Sequence, residues 1–481
     1  MSRSSREAVA MRLAEKNLHQ SCETYKPHLD VNANRRNGDT KLQSEMNTDT
    51  LSIDSKHLFE QLCTEKKLLE AWSEVRSNRG TSGSDGQTIE SFEAQLHEEI
   101  KRLRQELAAW KYTPQPVRRV EIPKPGGAGI RLLGVPCIRD RVCQTAIKQL
   151  LEPILDPLFS KSSYGFRPGK SQRQAVEAAQ KIVQSGKKFV VDIDLSQFFD
   201  RVNQDRLIGR LSKVIKDKRI IKLIGMTLRS GVIKDGTVTP TIEGTTQGSP
   251  LSPLLSNLVL DELDKEIEKR GLEHCRFADD CNIFVKTPKA AERIMQSISK
   301  FIEKKLKLDV NQAKSKVAES SLVKFLGMTI IDNARAIARK SLKHAMNKVK
   351  ELTPRGAHYN LEDTIERINS WYMGWSSYFS MTQYPSQLKV VEAHIRRRLR
   401  SRMVNQQKSR RNLFNKLIKR KVPKAKAAIS FSNRKRWALS HTTALERAYP
   451  NRWFIEEMNL QIRSNENRED WFDTKKWIRL A

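Results

Sequence analysis

Apolar residues return every three or four positions through LFEQLCTEKKLLEAWSEV at 58–75. This predicts a helix that stops in the Gly-rich NRGTSGSDG at 78–86. A second helical stretch covers 88–110 and ends before YTPQP. The pattern then shortens. RRVEIPKPGGAGIRLLGVP at 118–136 carries two β-prone runs around a Pro-Gly-Gly turn, which predicts a hairpin. Helices are expected at 138–155 and 171–185, parted by the irregular SSYGFRPG at 162–169. KFVVDIDLSQFFD at 188–200 reads as a strand entering a turn or helix. A helix over 252–269 leads into HCRFADDCNIFV at 274–285, two short strands that meet at Ala-Asp-Asp. A helix at 289–306 and a strand pair near 322–332 follow. Strands interleaved with helices in this way predict a sheet covered by helices on one face.

The two ends differ from this centre. Residues 1–50 are polar and poor in aromatics, which predicts a mobile leader. Beyond about 340 the chain turns helical and basic. Between 391 and 426 there are 14 Lys or Arg against one acid, Glu392. The expected organisation is a leader at 1–50, a first structured part at 51–186, an acid-bearing part at 187–335 and a helical part at 336–481.

Charge narrows the partner. Lys and Arg number 88 and Asp and Glu 55, so the formal net charge is 88 − 55 = +33. Such an excess repels itself unless a polyanion neutralises it, and it speeds encounter with nucleic acid. No apolar run approaches the ~18 residues of a membrane span, and with no apolar stretch after the first basic residues a secretory signal is not expected. The six cysteines form no CxxC pair or zinc spacing and suit a reducing cytoplasm.

The strand KFVVDIDLS sets Val191, Ile193 and Leu195 on one face and Asp192, Asp194 and Ser196 on the other. Downstream, Asp279 and Asp280 sit at the expected hairpin apex. Adjacent carboxylates between apolar runs are costly unless a cation neutralises them. Strand and hairpin acids brought together make an oxygen-rich site for Mg²⁺, with Mn²⁺ as a substitute. Two ions so held would activate a primer 3′-hydroxyl and stabilise departing pyrophosphate. Asp194 and Asp279 are the expected bridging ligands, Asp280 an additional ligand or an acid just behind them, and the backbone carbonyl of Leu195 a further donor within reach.

Here the chain resembles the reverse transcriptases encoded by group II introns, also called maturases, over about residues 55 to 475. The resemblance implies a right-hand polymerase: an α/β part with fingers and an antiparallel palm sheet backed by helices, then an α-helical thumb/maturase domain. DLSQFFD at 194–200 resembles the family's first catalytic block, which makes Asp194 a metal aspartate and Phe199 the ring that excludes a ribose 2′-hydroxyl. Phe277-Ala278-Asp279-Asp280 stands where an aromatic, usually tyrosine, precedes Ala-Asp-Asp. QGSPLSP at 247–253 matches the block beside the nucleotide, with Gln247 a nucleotide or template contact and Gly248 permitting close backbone approach. Lys124 and Arg131 resemble the basic pair on the triphosphate. Arg167, in YGFRPGKS, is a template or triphosphate contact, with a plain surface arginine as the alternative. Lys314 in LDVNQAKSK matches the lysine that donates a proton to pyrophosphate or fixes the adjacent loop. Phe325, Leu326 and Gly327 resemble the primer grip.

EDTIERINSWYMGWSSYF at 362–379 and WALSHTTALERAYPNRWFIEEMNL at 437–460 resemble the two ends of the maturase domain. Trp371, Trp375, Tyr378 and Phe379 are expected to build its core rather than stack on bases. Arg396, Arg397, Arg398, Arg400, Arg410, Arg411, Lys419, Arg420 and Lys421 are the expected RNA contacts. The implied partners are structured intron RNA, an RNA template with a DNA or RNA primer, target DNA and deoxynucleoside triphosphates. The implied place is the bacterial cytoplasm, on the nucleoid when bound to DNA. No paired cysteines follow Leu460, so no appended His-Asn-His endonuclease is expected. Three alternatives keep the charge: a domesticated relative in DNA repair or phage defence, an RNA-copying RNA polymerase, and a noncatalytic RNA-binding scaffold. The scaffold gives no reason for two intact acid blocks.

Overall fold

The computed structural model describes residues 55–123, 129–354, 360–407 and 409–463. The expected leader therefore lies outside the described residues, as does Lys124. Ten strands are described: β1 (Val117–Pro123), β2 (Ile130–Val135), β3 (Phe189–Ile193), β4 (Val232–Lys234), β5 (Thr237–Thr239), β6 (Glu273–Phe277), β7 (Asp280–Val285), β8 (Lys316–Glu319), β9 (Met328–Ile331) and β10 (Ala334–Ile337). They form sheets in the orders β2-β1-β4-β5, β6-β7-β3-β8 and β10-β9. No described helix is long and apolar enough to cross a membrane.

Described residues divide into two compact units. The first runs up to Ala179 and takes in Phe189–Val317; the second holds Gln180–Lys188 and the chain from Ala318. In the first, one apolar core joins helices Glu65–Ser77 and Ile138–Leu155 to the central sheet through Leu68, Trp72, Ile147, Val191, Ile193 and Ile283. The segments read as fingers and palm therefore share a single core.

Several elements differ from the pattern for local reasons. The stretch at 58–75 is two helices, because Thr64 turns extended (φ −85, ψ 140) and its hydroxyl accepts from Lys67 N–H to cap the second. Gln95 breaks the stretch at 88–110 with a φ of −120. The late strand pair is β9–β10 and lies further along the chain than expected, since Ser320–Leu322 coils into a short 3₁₀ turn. Asp332 and Asn333, both at positive φ, close that hairpin. One hairpin was not anticipated: β4–β5 pairs Lys234 with Thr237 around Asp235-Gly236, both at positive φ.

Beyond the β9–β10 hairpin the second unit is helical. Ile368, Tyr372, Val391, Ile395, Leu399, Leu417, Leu445 and Phe454 share its core. Trp371 and Trp375 pack against it and stack on each other at 5.8 Å, and Phe379 continues the row 4.7 Å from Trp375.

Candidate active site

The central sheet sets the acids. β3 and β7 are antiparallel with Asp192 opposite Asn282 and Ile193 opposite Cys281. Strand alternation carries Asp194 and Asp280 onto the face of Asp192 and Asn282. Ile193 and Cys281 point the other way, into the core. Phe277 pairs with Asp280, so Ala278 and Asp279 form a two-residue apex between β6 and β7. Ala278 has a φ of +56. Asp194 and Asp280 are half-exposed, whereas Val190 and Phe284, deeper on the same face, are buried. The acid face is thus open only near the apex.

Asp194 is fastened from a separate loop. Its N–H donates to Ser315 Oγ at 3.0 Å, and its carbonyl accepts from Asn311 N–H at 2.8 Å and Ser315 Oγ at 3.3 Å. Ser196 N–H donates to the Asp309 carbonyl at 2.8 Å, and Arg201 pairs with Asp309. These bonds complete a bridge between Leu195 and Val310 that does not use the Leu195 carbonyl. Lys314, from the same loop, reaches Asp194 with Nζ 3.8 Å from Oδ1.

Charges meet at the apex. Burial pushes the Asp279 carboxyl up, and the negative charge of Asp194 pushes it the same way, while Arg131 and Arg276 oppose. Two carboxylates that feel each other in a partly dry setting favour a hard divalent cation. Among the described residues, however, no three His, Cys, Asp or Glu side chains converge to hold a metal. Unscreened carboxylates repel, and Mg²⁺ is ordinarily held by one or two carboxylates together with water and substrate phosphates. The Asp194 and Asp279 donors fit that mode.

The pieces expected around a nucleotide come together. Thr245 N–H donates to the Phe199 carbonyl at 2.6 Å and Gly244 N–H to the Val202 carbonyl at 2.7 Å, tying the GTTQGSP loop to the turn after Asp194. On its other side, Gly134 N–H in β2 donates to the Gln247 carbonyl at 2.8 Å. Gly248 sits at φ +113, and a Cβ there would lie 2.8 Å from the Gly134 carbonyl oxygen, so the close approach is to β2. Arg131, three residues before Gly134, acts electrostatically on Asp279. Phe199 is half-buried, edge-on to Phe198 at 5.3 Å.

Other expected contacts fall elsewhere. Arg167 is not presented to a ligand: its side chain is 7% exposed, and it donates to Asp156 Oδ1 (2.6 Å) and the carbonyls of Asp156, Ser160 and Ser163. It ties its own loop together. In helix Ser386–Asn405, Arg400 is buried and donates to the Tyr449 carbonyl and Asn451 Oδ1, both at 2.9 Å. Arg398 donates to Thr353 Oγ1 at 2.8 Å, Arg397 lies 4.2 Å over the Trp437 ring, and Arg396 is packed near the buried Glu392. Arg398 and Arg400 thus spend fork donors within the unit and Arg397 stacks on a ring, so these three do not form a row turned to phosphates. Arg410, Arg411, Lys419 and Lys421 are exposed. Arg420 lies between them over Tyr449 and Trp453, at 4.7 and 4.5 Å.

Phe325 and Met328 exchange two 2.9 Å backbone bonds around Leu326-Gly327, both at positive φ. Tyr378 donates to the Leu326 carbonyl at 2.6 Å and Phe379 covers Gly327. The last aromatics of helix Leu361–Phe379 thus hold this turn.

Sequence reasoning missed the group beneath the apex. Arg276 is fully buried and bonded to Asp264, Asn257, Ser163 and the Ala278 carbonyl. Asn257 Nδ2 donates in turn to the Gly165 carbonyl at 2.8 Å. A charged residue in the middle of a short strand, two positions after a histidine that meets the same Asp264, was the available signal.

Two family models match the chain: "Reverse transcriptase (RNA-dependent DNA polymerase)" over residues 122–330 and "Group II intron, maturase-specific domain" over 342–421. The protein YkfC of Escherichia coli (strain K12) is 33% identical over 290 residues, 52% of this chain and 76% of YkfC. The group II intron-encoded protein LtrA of Lactococcus lactis subsp. cremoris is 29% identical over 354 residues, 60% of this chain and 58% of LtrA. A putative COX1/OXI3 intron 2 protein of Saccharomyces cerevisiae is 32% identical over 252 residues, 50% of this chain and 28% of that protein. The chain therefore spans a little over half of LtrA and about a quarter of the yeast protein. With its acid-bearing sheet inside a reverse transcriptase domain and a helical maturase-specific domain following in the sequence, the chain belongs to the group II intron reverse transcriptase/maturase-like proteins.

Proposed function

We propose that this protein extends a primer on an RNA template with deoxynucleotides and binds a folded intron RNA to assist its splicing and mobility. One observation carries the polymerase reading. Asp194 and Asp279 come from separate stretches of chain and meet at one open sheet end, where burial first, and then the charge of Asp194, raise the Asp279 carboxyl. When bound there, Mg²⁺ supplies charge neutralisation for the attacking and leaving oxygens. The chain's own residues then have separate tasks. Asp194 and Asp279 would hold the metal, with Asp280 beside them and the Leu195 carbonyl as a backbone donor. Arg131 meets the triphosphate with a fork suited to bidentate phosphate contact. Gln247 and Gly248 line the base and sugar side. Phe199 fills the space a 2′-hydroxyl needs. Lys314 stands near Asp194 to hold or deliver a proton toward pyrophosphate, and Phe325, Leu326 and Gly327 support the primer end.

RNA binding falls to the exposed cations Arg410, Arg411, Lys419 and Lys421, with Arg420 pinned between them by two rings. Primed RNA and primed DNA templates, offered deoxy- and ribonucleotides with Mg²⁺, test the reading. Incorporation of deoxynucleotides on RNA is expected. Binding of primed RNA without incorporation contradicts it and favours a scaffold.

A further inference from the structure

We propose that Arg276 is a positioning residue for polymerisation, fixing the hairpin apex, and with it the Asp279 carboxylate, through the Ala278 carbonyl. The inference rests on the reading of Asp279 as a metal-holding acid.

The guanidinium is fully buried and each of its five N–H bonds has a partner. Nε donates to Asp264 at 2.8 and 3.0 Å, and Nη2 to Asp264 Oδ2 at 2.6 Å and Ser163 Oγ at 2.8 Å. Nη1 donates to Asn257 Oδ1 at 3.1 Å and to the Ala278 carbonyl at 2.8 Å. The anchors lie on helix Ser252–Lys269 and on the loop at 162–167; the load is the apex.

That apex needs outside support. Ala278 holds a φ of +56, a region that L-residues rarely adopt because the Cβ crowds the backbone. Its other flank is seated on Gly165, where a Cβ would lie 2.3 Å from Ala278 N. The same loop adds backbone bonds to Arg276, from Tyr164 N–H at 2.8 Å and to the Ser162 carbonyl at 2.9 Å. The apex is thus gripped by a carbonyl on one side and closed by a glycine on the other. A buried ion pair is a poor way to gain stability, since apolar residues of equal volume often do as well. It is a good way to hold one carbonyl at a fixed height, because the planar fork orients every bond. Lysine keeps the charge but has no fork.

Arg276→Lys tests this. A catalytic group displaced by about 1 Å costs on the order of 10²-fold in rate. The expected result is a drop of about 10²-fold in single-turnover incorporation at saturating nucleotide. The Mg²⁺ concentration for half-maximal rate rises, while primer–template affinity stays unchanged. Two readouts stand apart from activity. Amide hydrogen exchange at 276–281 speeds up, and Mn²⁺ binding, followed by paramagnetic resonance, weakens. If the lysine variant does not fold, Asn257→Ala removes one acceptor of the fork and the bond to Gly165, and carries the same comparison. A variant that melts earlier yet keeps wild-type rate, Mg²⁺ requirement and apex exchange overturns the proposal and leaves Arg276 a core filler. An Asp279→Asn protein as active as wild type overturns the polymerase reading instead. The exchange measurement still decides the positioning claim in that case.

Discussion

Replacing Asp264 with asparagine leaves the Arg276 charge buried without its carboxylate. Breaking a buried pair from one side costs about 3–5 kcal/mol, which denaturant unfolding will register. Burial alone would push the Asp264 carboxyl up, but Arg276 and His274 bring it from an ordinary 3.8 to about 2. A depressed folded value means the stabilisation is present above about pH 4 and fades as pH falls from there to about 2. Wild type therefore loses stability across that window, and Asp264→Asn loses this part of its acid sensitivity. A second residue-scale prediction concerns the sugar. Phe199→Ala opens space beside the nucleotide, so ribonucleotide incorporation relative to deoxynucleotide rises by about 10–100-fold in competition assays. At this scale the sequence spoke through residue type and spacing: Asp194 and Asp279 stood out as acids between apolar runs, and the sheet brings both to one end. Arg276 was silent, because its meaning lies in Asp264 and Asn257, on a helix that only the fold brings beneath it. Arg167 and Arg400 misled for the mirror reason. Arg400 stood in a basic string and Arg167 in a family-like block, yet both donate to carbonyls of their own unit.

Elements follow local rules where one rule acts alone. Helix Ile138–Leu155 and helix Ser252–Lys269 start and stop at the expected residues, although both are buried around most of their surface. Boundaries slipped where a cap or backbone angle intervened, as at Thr64 and Gln95. The Asp-Gly turn of β4–β5 was legible through the preference of such turns for Asp-Gly, but its strands are three residues each and too short to show alternation. The loop at 162–169 was seen as irregular, and its purpose came only with the fold. Gly165→Ala tests it. A Cβ would meet backbone atoms that have little room to yield, at 2.3 Å from Ala278 N and 3.0 Å from Phe277 C. A loss of about 1–3 kcal/mol is expected, with a fall in incorporation that exceeds the stability effect. Wild-type stability and rate in this variant contradict the seating of the apex.

At the scale of the whole molecule, the excess of +33 sets affinity more than specificity. Charge predicted a polyanion from composition alone. It did not say which cations face outward, because exposure depends on helix packing. Arg410, Arg411, Lys419 and Lys421 are exposed, while the Arg396–Arg400 segment is turned inward or stacked. Changing those four to alanine is expected to weaken RNA binding across sequences. The log–log salt slope should shrink by about 0.7–0.9 for each phosphate that is no longer neutralised. An unchanged slope moves the RNA interface elsewhere on the surface.

The most direct measurement compares single-turnover nucleotide addition on a primed RNA template by Asp194→Asn, Asp279→Asn and the double variant. Metal stabilisation of transition-state charge is worth several kcal/mol, so each single change is expected to cost about 10³-fold or more. Because both carboxylates serve the same ions, the double variant should be no slower than the slower single one. Single variants that retain near wild-type rates, or losses that multiply in the double variant, contradict a shared metal site at the end of this sheet.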